Sequence, residues 1–342
     1  MRGEYEMKDM SIDFVITWVD GSDLEWQAKK ERYLSEYSQP NMKKWNIGEA
    51  RYRDWGLLKY WFRGVEKFAP WVNKIYFVTD NQVPEWLNIN HPKLKIVNHT
   101  DYIPKEYLPT FSSHCIELNL HRIEGLAERF VYFNDDMFLI SQTKPEDFFK
   151  NGLPCDSAIL NPIYLKQNGI RAEINDLYVI NEFFDKRQVI KKNIDKWFNI
   201  RYGKHLVRNM LMFPYGMFMG FYISHMPSSY LKSTYQEVWE KAEEVLTITC
   251  KHKFRDTTDV NQWLFEYWQF ATGRFMPRTF DIGKMYEGSE HYDQMCKDIC
   301  EQNYKMICCN DSVDIENAEQ TIAKVQKTFE SILPEKSAFE RV

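Results

Sequence analysis

The sequence predicts an α/β fold built on a mostly parallel sheet, with a helical insertion over the sheet's ligand edge. Two observations carry this. Over the first 140 residues, short apolar runs alternate with helix-periodic segments across short links, the pattern of βαβ units. Three of those runs then end in polar residues: Asp20 to Asp23, Asp80-Asn81, and Asn134 to Asp136. Open α/β sheets bind ligands at the carboxyl ends of their strands.

Each element follows from its own pattern. Ile12 to Val19 is rich in β-branched and aromatic residues and reads as a central strand. It stops at Asp20-Gly21-Ser22-Asp23, where Ser22 or Asp23 can cap a charged helix reaching about Tyr37. Residues 39–50 read as a loop, and Arg51-Tyr52-Arg53-Asp54 lead into a helix to about Phe68, with Leu57, Leu58, Trp61 and Val65 inward. Lys74 to Thr79 and Leu94 to Val97 are the next strands. A helix over 114–128 and a strand over 130–133 follow. Asp156 to Ile163 reads as one more strand. Helical segments rich in aromatics and Met then cover roughly 172–185, 204–212, 228–245 and 258–271. Lys305 to Cys308 is a short late strand ending at Asn310-Asp311-Ser312, before a helix from about Ile315 to Ile332. The expected division is a core over 12–163 and 279–335 with a mainly helical subdomain over 164–278.

The stretch from Pro109 to Ile140 concentrates candidate chemistry. Ser112 and Ser113 are N-cap candidates. Ile116, Leu120, Ile123 and Ala127 form the buried stripe of the expected helix, while His114, Glu117, His121 and Glu124 share another, solvated face. Asp135 and Asp136 stand where the following strand ends and can offer hard oxygen ligands to a divalent cation. Asn-Asp-Asp is also good turn chemistry. Two later features stand out: Ser224-His225-Met226-Pro227, placed before a helix, and the basic loop Lys251 to Asp256, which plain solvation would also explain.

Composition narrows the classes. Net charge is −5, and no basic stripe or RNA-binding signature appears, which argues against nucleic acid as a partner. Aromatic residues are 16% of the chain and suit either a sugar-handling surface or a large core. Seven cysteines form no disulfide framework or zinc spacing and read as free thiols of a reducing compartment. No apolar leader or bilayer-length run is present. The expected location is the cytoplasm, with loose membrane association left open.

Four blocks resemble the Stealth proteins, bacterial sugar-phosphate transferases of capsule and exopolysaccharide synthesis. These are related to the catalytic subunit of the animal enzyme that starts the mannose-6-phosphate tag. The blocks are Ile12 to Asp23; Arg51 to Ile140 with RYRD, LPTFSS, HRIEG and FNDD; NDLYVINEFF through ISHMP to KFRDTTDVNQWLF; and KMICCNDSVD. The last reads CCNDS rather than the more usual CLND, and the chain lacks the large insertions of the animal enzymes.

The resemblance implies a Rossmann-like, glycosyltransferase-A-like core. It implies transfer of a hexose-1-phosphate from a nucleotide-sugar, a UDP-hexose or UDP-N-acetylhexosamine, to a hydroxyl of an oligo- or polysaccharide acceptor. It implies a divalent cation, Mg²⁺ or Mn²⁺, on Asp135 and Asp136 with Asp311 as a third ligand. His225 is then the general base and Arg255 the phosphate clamp, because imidazole titrates near neutrality and guanidinium stays charged. Asp20, Gly21 and Ser22 form a nucleotide-binding turn, with Trp18 beside the base or ribose or, equally, in the core. Arg51 and Arg53 are further phosphate or acceptor contacts, and Glu117 is a weaker base. Peripheral association with capsule-synthesis machinery at the inner face of a bacterial membrane fits the same picture. Two rivals remain: a metal-dependent glycosyltransferase releasing UDP, and a non-catalytic nucleotide-sugar binding protein.

Overall fold

The computed structural model describes residues 11–37, 54–163, 171–288, 291–311 and 318–341. Its principal sheet has five strands in the order β3-β2-β1-β4-β8: Ile12–Thr17 (β1), Ile75–Thr79 (β2), Leu94–Asn98 (β3), Arg129–Phe133 (β4) and Ser228–Leu231 (β8). The first four are mutually parallel, and β8 runs antiparallel along β4. A second sheet carries Met137–Leu139 (β5), Gly283–Glu287 (β10) and Met306–Asn310 (β11), and a third Phe149–Lys150 (β6), Leu153–Asp156 (β7) and Met276–Pro277 (β9).

The alternation along each strand explains the layering, since successive side chains face opposite sides. Phe14, Ile16, Phe77, Val131 and Phe133 pack on one face against the helices Leu58–Phe68 and Ala318–Ile332. Val15, Tyr76, Val78, Phe130 and Tyr132 pack on the other with residues of the helices Arg171–Phe183, Lys232–Lys241 and Trp263–Thr272. A sheet covered on both faces needs apolar runs rather than simple alternation with polar residues, which is what β1, β2 and β4 carry.

One buried acid ties the sheet's lower edge together. Asp13, fully buried in β1, accepts from Asn73 Nδ2 at 2.7 Å, the Lys74 amide at 3.2 Å and the Ala127 amide at 2.8 Å. It thereby anchors the chain entering β2 and the chain entering β4.

Several expectations shift. Ser228–Leu231 is a strand, and its helix begins at Lys232. The reason is tertiary: β4 offers a free edge that Tyr230 and Ser229 fill. The span 157–163 is irregular except for the bridge of Leu160 to Phe221, and the strand there is Leu153–Asp156. The helix expected over 114–128 is the single segment Ser113–Leu118, followed by a tight turn of 3₁₀ helix at Leu120–Arg122.

Replacing Asp13 with Ala strands two backbone donors and an amide. It is expected to destabilise the protein by about 3 kcal/mol in urea denaturation. A loss below ~0.5 kcal/mol would show that the edge does not depend on this staple.

Candidate active site

The site grows from the strand ends. β1 runs into the turn at Asp20, whose Oδ1 accepts from the Ser22 amide at 2.8 Å and the Ser22 hydroxyl at 2.6 Å. Gln82 locks this turn: its Oε1 accepts from the Asp20 amide at 2.8 Å, and its Nε2 donates to Asp20 O and Asp23 Oδ2, each at 3.0 Å. Asp23, not Ser22, caps the helix Leu24–Tyr37 through the Glu25 and Trp26 amides. Trp18 is core: it is buried and packs on Phe77 with ring centroids 5.6 Å apart. Asp80, at the end of β2, is engaged by Lys29 at 2.8 Å and lies beside the buried His99, so it serves the scaffold.

Between β4 and β5 the chain passes from the first sheet into the second, turning at Asn134 to Asp136. This crossing sets the two acids against β11, where Asp136 O accepts from the Cys309 amide at 2.8 Å. Cys308 Sγ donates to Asp136 Oδ2 at 3.3 Å, and Asp136 Oδ1 is buried with no hydrogen-bond partner. A ligand atom of His225 joins them: Asp136, Cys308 and His225 lie within 4.8 Å of one another. His225 is held at φ 49°, a left-handed conformation unusual for a residue with a Cβ, and its ring meets Trp263 edge to face at 5.7 Å.

Acids crowd this recess. Asp135 keeps solvent contact, but protein atoms around it withdraw water, and Asp136 and Asp54 add like charge; its carboxyl is pushed up to about 7. The Asp54 carboxyl is raised by desolvation and, more weakly, by Asp20, against the Gly56 amide donating to it at 2.7 Å. The next residue, Trp55, donates from Nε1 to Asp311 Oδ2 at 3.3 Å. One short segment, Asp54-Trp55, therefore relates the ends of β1, β4 and β11. The sequence places Asp54 just ahead of a helix and gives no local signal for Trp55 or Gln82. The RYRD block was the available signal for Asp54.

Arg255 anchors a second cluster. Its Nη2 donates to Ser113 Oγ, and its charge acts on Glu117. Glu117 Oε1 accepts from Tyr132 at 3.2 Å, and Tyr132 pairs with Thr17 Oγ1 at 3.0 Å, linking Arg255 back to the ends of β1 and β4. Nearby, Asp259 bridges two histidines, His114 Nδ1 at 2.9 Å and His252 Nδ1 at 2.7 Å. The expected wet face is thus internal: His114, Glu117 and His121 are all buried, because the helix ends after Leu118 and the insertion covers it. Burial drives the His121 imidazole down to about 3, so it stays neutral against Tyr235 and Trp239.

Of the anticipated residues, Asp136 and His225 converge directly, Asp135 and Asp20 are joined electrostatically through Asp54, and Asp311 attaches through Trp55. Arg255 belongs to the Glu117 cluster. Arg51 and Arg53 lie outside the described residues. Chemically, the arrangement offers acidic oxygens for a cation, an imidazole beside them, and a guanidinium for an anion.

The comparisons agree with one another. The model of Stealth protein conserved region 1 matches residues 10–38, that of conserved region 2 matches 51–155, and that of conserved region 4 matches 297–342. The chain is 44% identical over 337 residues to the capsular polysaccharide phosphotransferase WcwK of Streptococcus pneumoniae, covering 98% of this chain and 100% of that one. It is 42% identical to the receptor polysaccharide phosphotransferase WefC of Streptococcus oralis, over 96% of this chain and 99% of the relative. It is 41% identical to the exopolysaccharide phosphotransferase cps2G of Lactiplantibacillus plantarum, over 96% of each.

Glu117 gives a pH test. Burial raises its carboxyl to about 7, well above the usual range of a glutamate. The folded state holds the proton more tightly, so this stability is complete below the unfolded pKa and is lost as pH rises through the folded one. Glu117→Gln is expected to remove about 3 kcal/mol of the stability decline between acidic and mildly alkaline pH. Parallel pH–stability curves for the two proteins would contradict it.

Proposed function

Because the chain belongs to the Stealth family and is an enzyme of the phosphotransferase class, we propose that it moves a sugar-1-phosphate in capsule or exopolysaccharide synthesis. The donor is a UDP-hexose or UDP-N-acetylhexosamine, and the acceptor is a hydroxyl of an oligo- or polysaccharide. The acceptor oxygen attacks the phosphorus that carries the sugar. The bond from that phosphorus to the bridging oxygen of the pyrophosphate breaks, and UMP leaves with that oxygen. The acceptor's proton passes to His225, and the product is a phosphodiester.

The observation that carries this reading is the convergence of Asp136 and His225 at one strand end. Phosphoryl transfer asks the protein to align the attacking oxygen, remove its proton and offset charge. His225 suits the proton, and its fixed left-handed backbone holds the ring in place. Arg255 suits the phosphate oxygens, and its tie to Ser113 orients the fork. The turn Asp20-Gly21-Ser22 is the proposed nucleotide contact, with Arg51 and Arg53 as further phosphate or acceptor contacts.

Asp136, Asp135 and Asp311 are the residues proposed to hold Mg²⁺ or Mn²⁺. They fit it, since one Asp136 oxygen is buried without a partner and the neighbouring carboxylates repel one another. Such an ion, when bound, neutralises pyrophosphate charge. The β3-β2-β1-β4 order with parallel pairing supports a Rossmann-like core of the glycosyltransferase-A type, to which the span 164–278 lends β8 as an edge strand and contributes His225 and Arg255.

The test incubates the protein with a panel of UDP-sugars, Mg²⁺ or Mn²⁺ and a capsule-type oligosaccharide, and identifies the released nucleotide by mass spectrometry. UMP is expected together with a phosphodiester product. His225→Ala is expected to slow release by about 100-fold or more. Arg255→Lys keeps the charge but loses the planar fork, and is expected to cost ~10-fold or more. Release of UDP would contradict the reading and mark a glycosyltransferase.

A further inference from the structure

The helix Leu206–Met212 is turned inside out. Its buried residue is polar: Asn209 accepts from the Leu160 amide at 2.6 Å and donates to Ala158 O at 2.9 Å and Trp197 O at 2.6 Å. Only its end residues Leu206 and Met212 pack on the core, and the apolar residues between them face water. Val207, Met210 and Leu211 are exposed, Leu211 by 68%. The exposure continues through the adjoining turn at Phe213, Tyr215 and Met217. Three hydrogen bonds from one buried side chain fix this orientation, so it is not a frayed edge. Lys186 fixes the turn as well, donating to Met212 O at 2.5 Å and Tyr215 O at 2.9 Å. A contiguous exposed apolar surface of this kind marks a docking face.

Charge says what covers it. Residues 186–219 hold eight lysines and arginines against one acid, Asp195, in a chain whose net charge is −5. Arg187, Lys191, Lys192, Lys204 and Arg208 are all exposed. A symmetric pairing of two copies would lay this cationic segment against itself. Apolar side chains interleaved with Lys and Arg match the boundary of an anionic bilayer, where the apolar groups enter the acyl region and the cations meet headgroup phosphates. No helix among the described residues is long and apolar enough to cross a membrane, so the contact lies in the plane.

We propose that the face built by Leu206–Met212 and its adjoining turn docks this protein on an anionic lipid surface. The same strand of chain leads to the active site. The Ile163 amide donates to Met219 O at 3.1 Å, the Asn161 amide to Gly220 O at 3.0 Å, and the Tyr222 amide to Ile159 O at 2.8 Å. Gly220 permits this approach, since a Cβ there would lie 2.4 Å from Asn161 O. The chain then reaches His225. Docking would therefore hold the His225 side of the cleft near the lipid surface. The inference stands apart from the choice of donor and acceptor.

The test is co-sedimentation of the full chain with phosphatidylcholine vesicles, with and without phosphatidylglycerol. Binding to the anionic vesicles alone is expected, weakened by added salt. Two exposed-site variants, Leu211→Ser with Phe213→Ser and Lys192→Glu with Lys204→Glu, are each expected to lower it at least ~10-fold at unchanged thermal midpoint. No binding, equal binding to both vesicles, or binding unaffected by both variants would overturn the proposal. So would a concentration-dependent dimer that the Leu211→Ser, Phe213→Ser variant disperses.

Discussion

Like charge held close together organises the end of the sheet where β1 and β4 finish. Asp20 repels Asp54, and Asp54 and Asp136 repel Asp135, while desolvation raises the Asp54 and Asp135 carboxyls further. Such a cluster costs stability when empty, and a fold keeps it only where the sheet leaves no freedom to relax. The strands supply that rigidity. β1 and β4 pair over five residues and are buried on both faces, so the acids at their ends cannot drift apart.

The crossing from β4 to β5 makes the cluster possible. A chain that stayed in one sheet would carry Asp135 and Asp136 toward solvent. Passing into a second sheet pins Asp136 against β11 through the Cys309 amide and the Cys308 thiol, and brings Asp311 into the same neighbourhood through Trp55. Arg255 reaches β1 and β4 through Ser113, Glu117, Tyr132 and Thr17. Carboxylates and a guanidinium thus hang from the same two strands.

Much of this was legible in the residues. The apolar runs at Ile12, Lys74, Leu94 and Phe130 announce the parallel strands, and of their polar ends those at Asp20 and Asp135-Asp136 face the candidate site while Asp80 is held by Lys29. What local pattern could not show was pairing between distant segments. Ser228–Leu231 looks like a helix start because Pro and Ser favour one, and only the open edge of β4 makes it a strand. His114, Glu117 and His121 looked solvated because their spacing sets them off from the apolar stripe, but the insertion covers them. Asp54 and Gln82 were hidden for the same reason: their importance lies in what they touch across the chain. The helix at Leu206 misleads periodicity, since Val207, Met210 and Leu211 point to solvent while Asn209 is buried.

The proposal open to the most direct test is that Asp135, Asp136 and Asp311 hold a divalent cation. The most direct measurement is Mn²⁺ binding followed by electron paramagnetic resonance, without donor or acceptor, in wild type and in Asp136→Asn. The account expects a saturable site in the wild type, weakened at least ~10-fold in the variant. Equal Mn²⁺ affinity in both proteins, or no saturable site in the wild type, would contradict it.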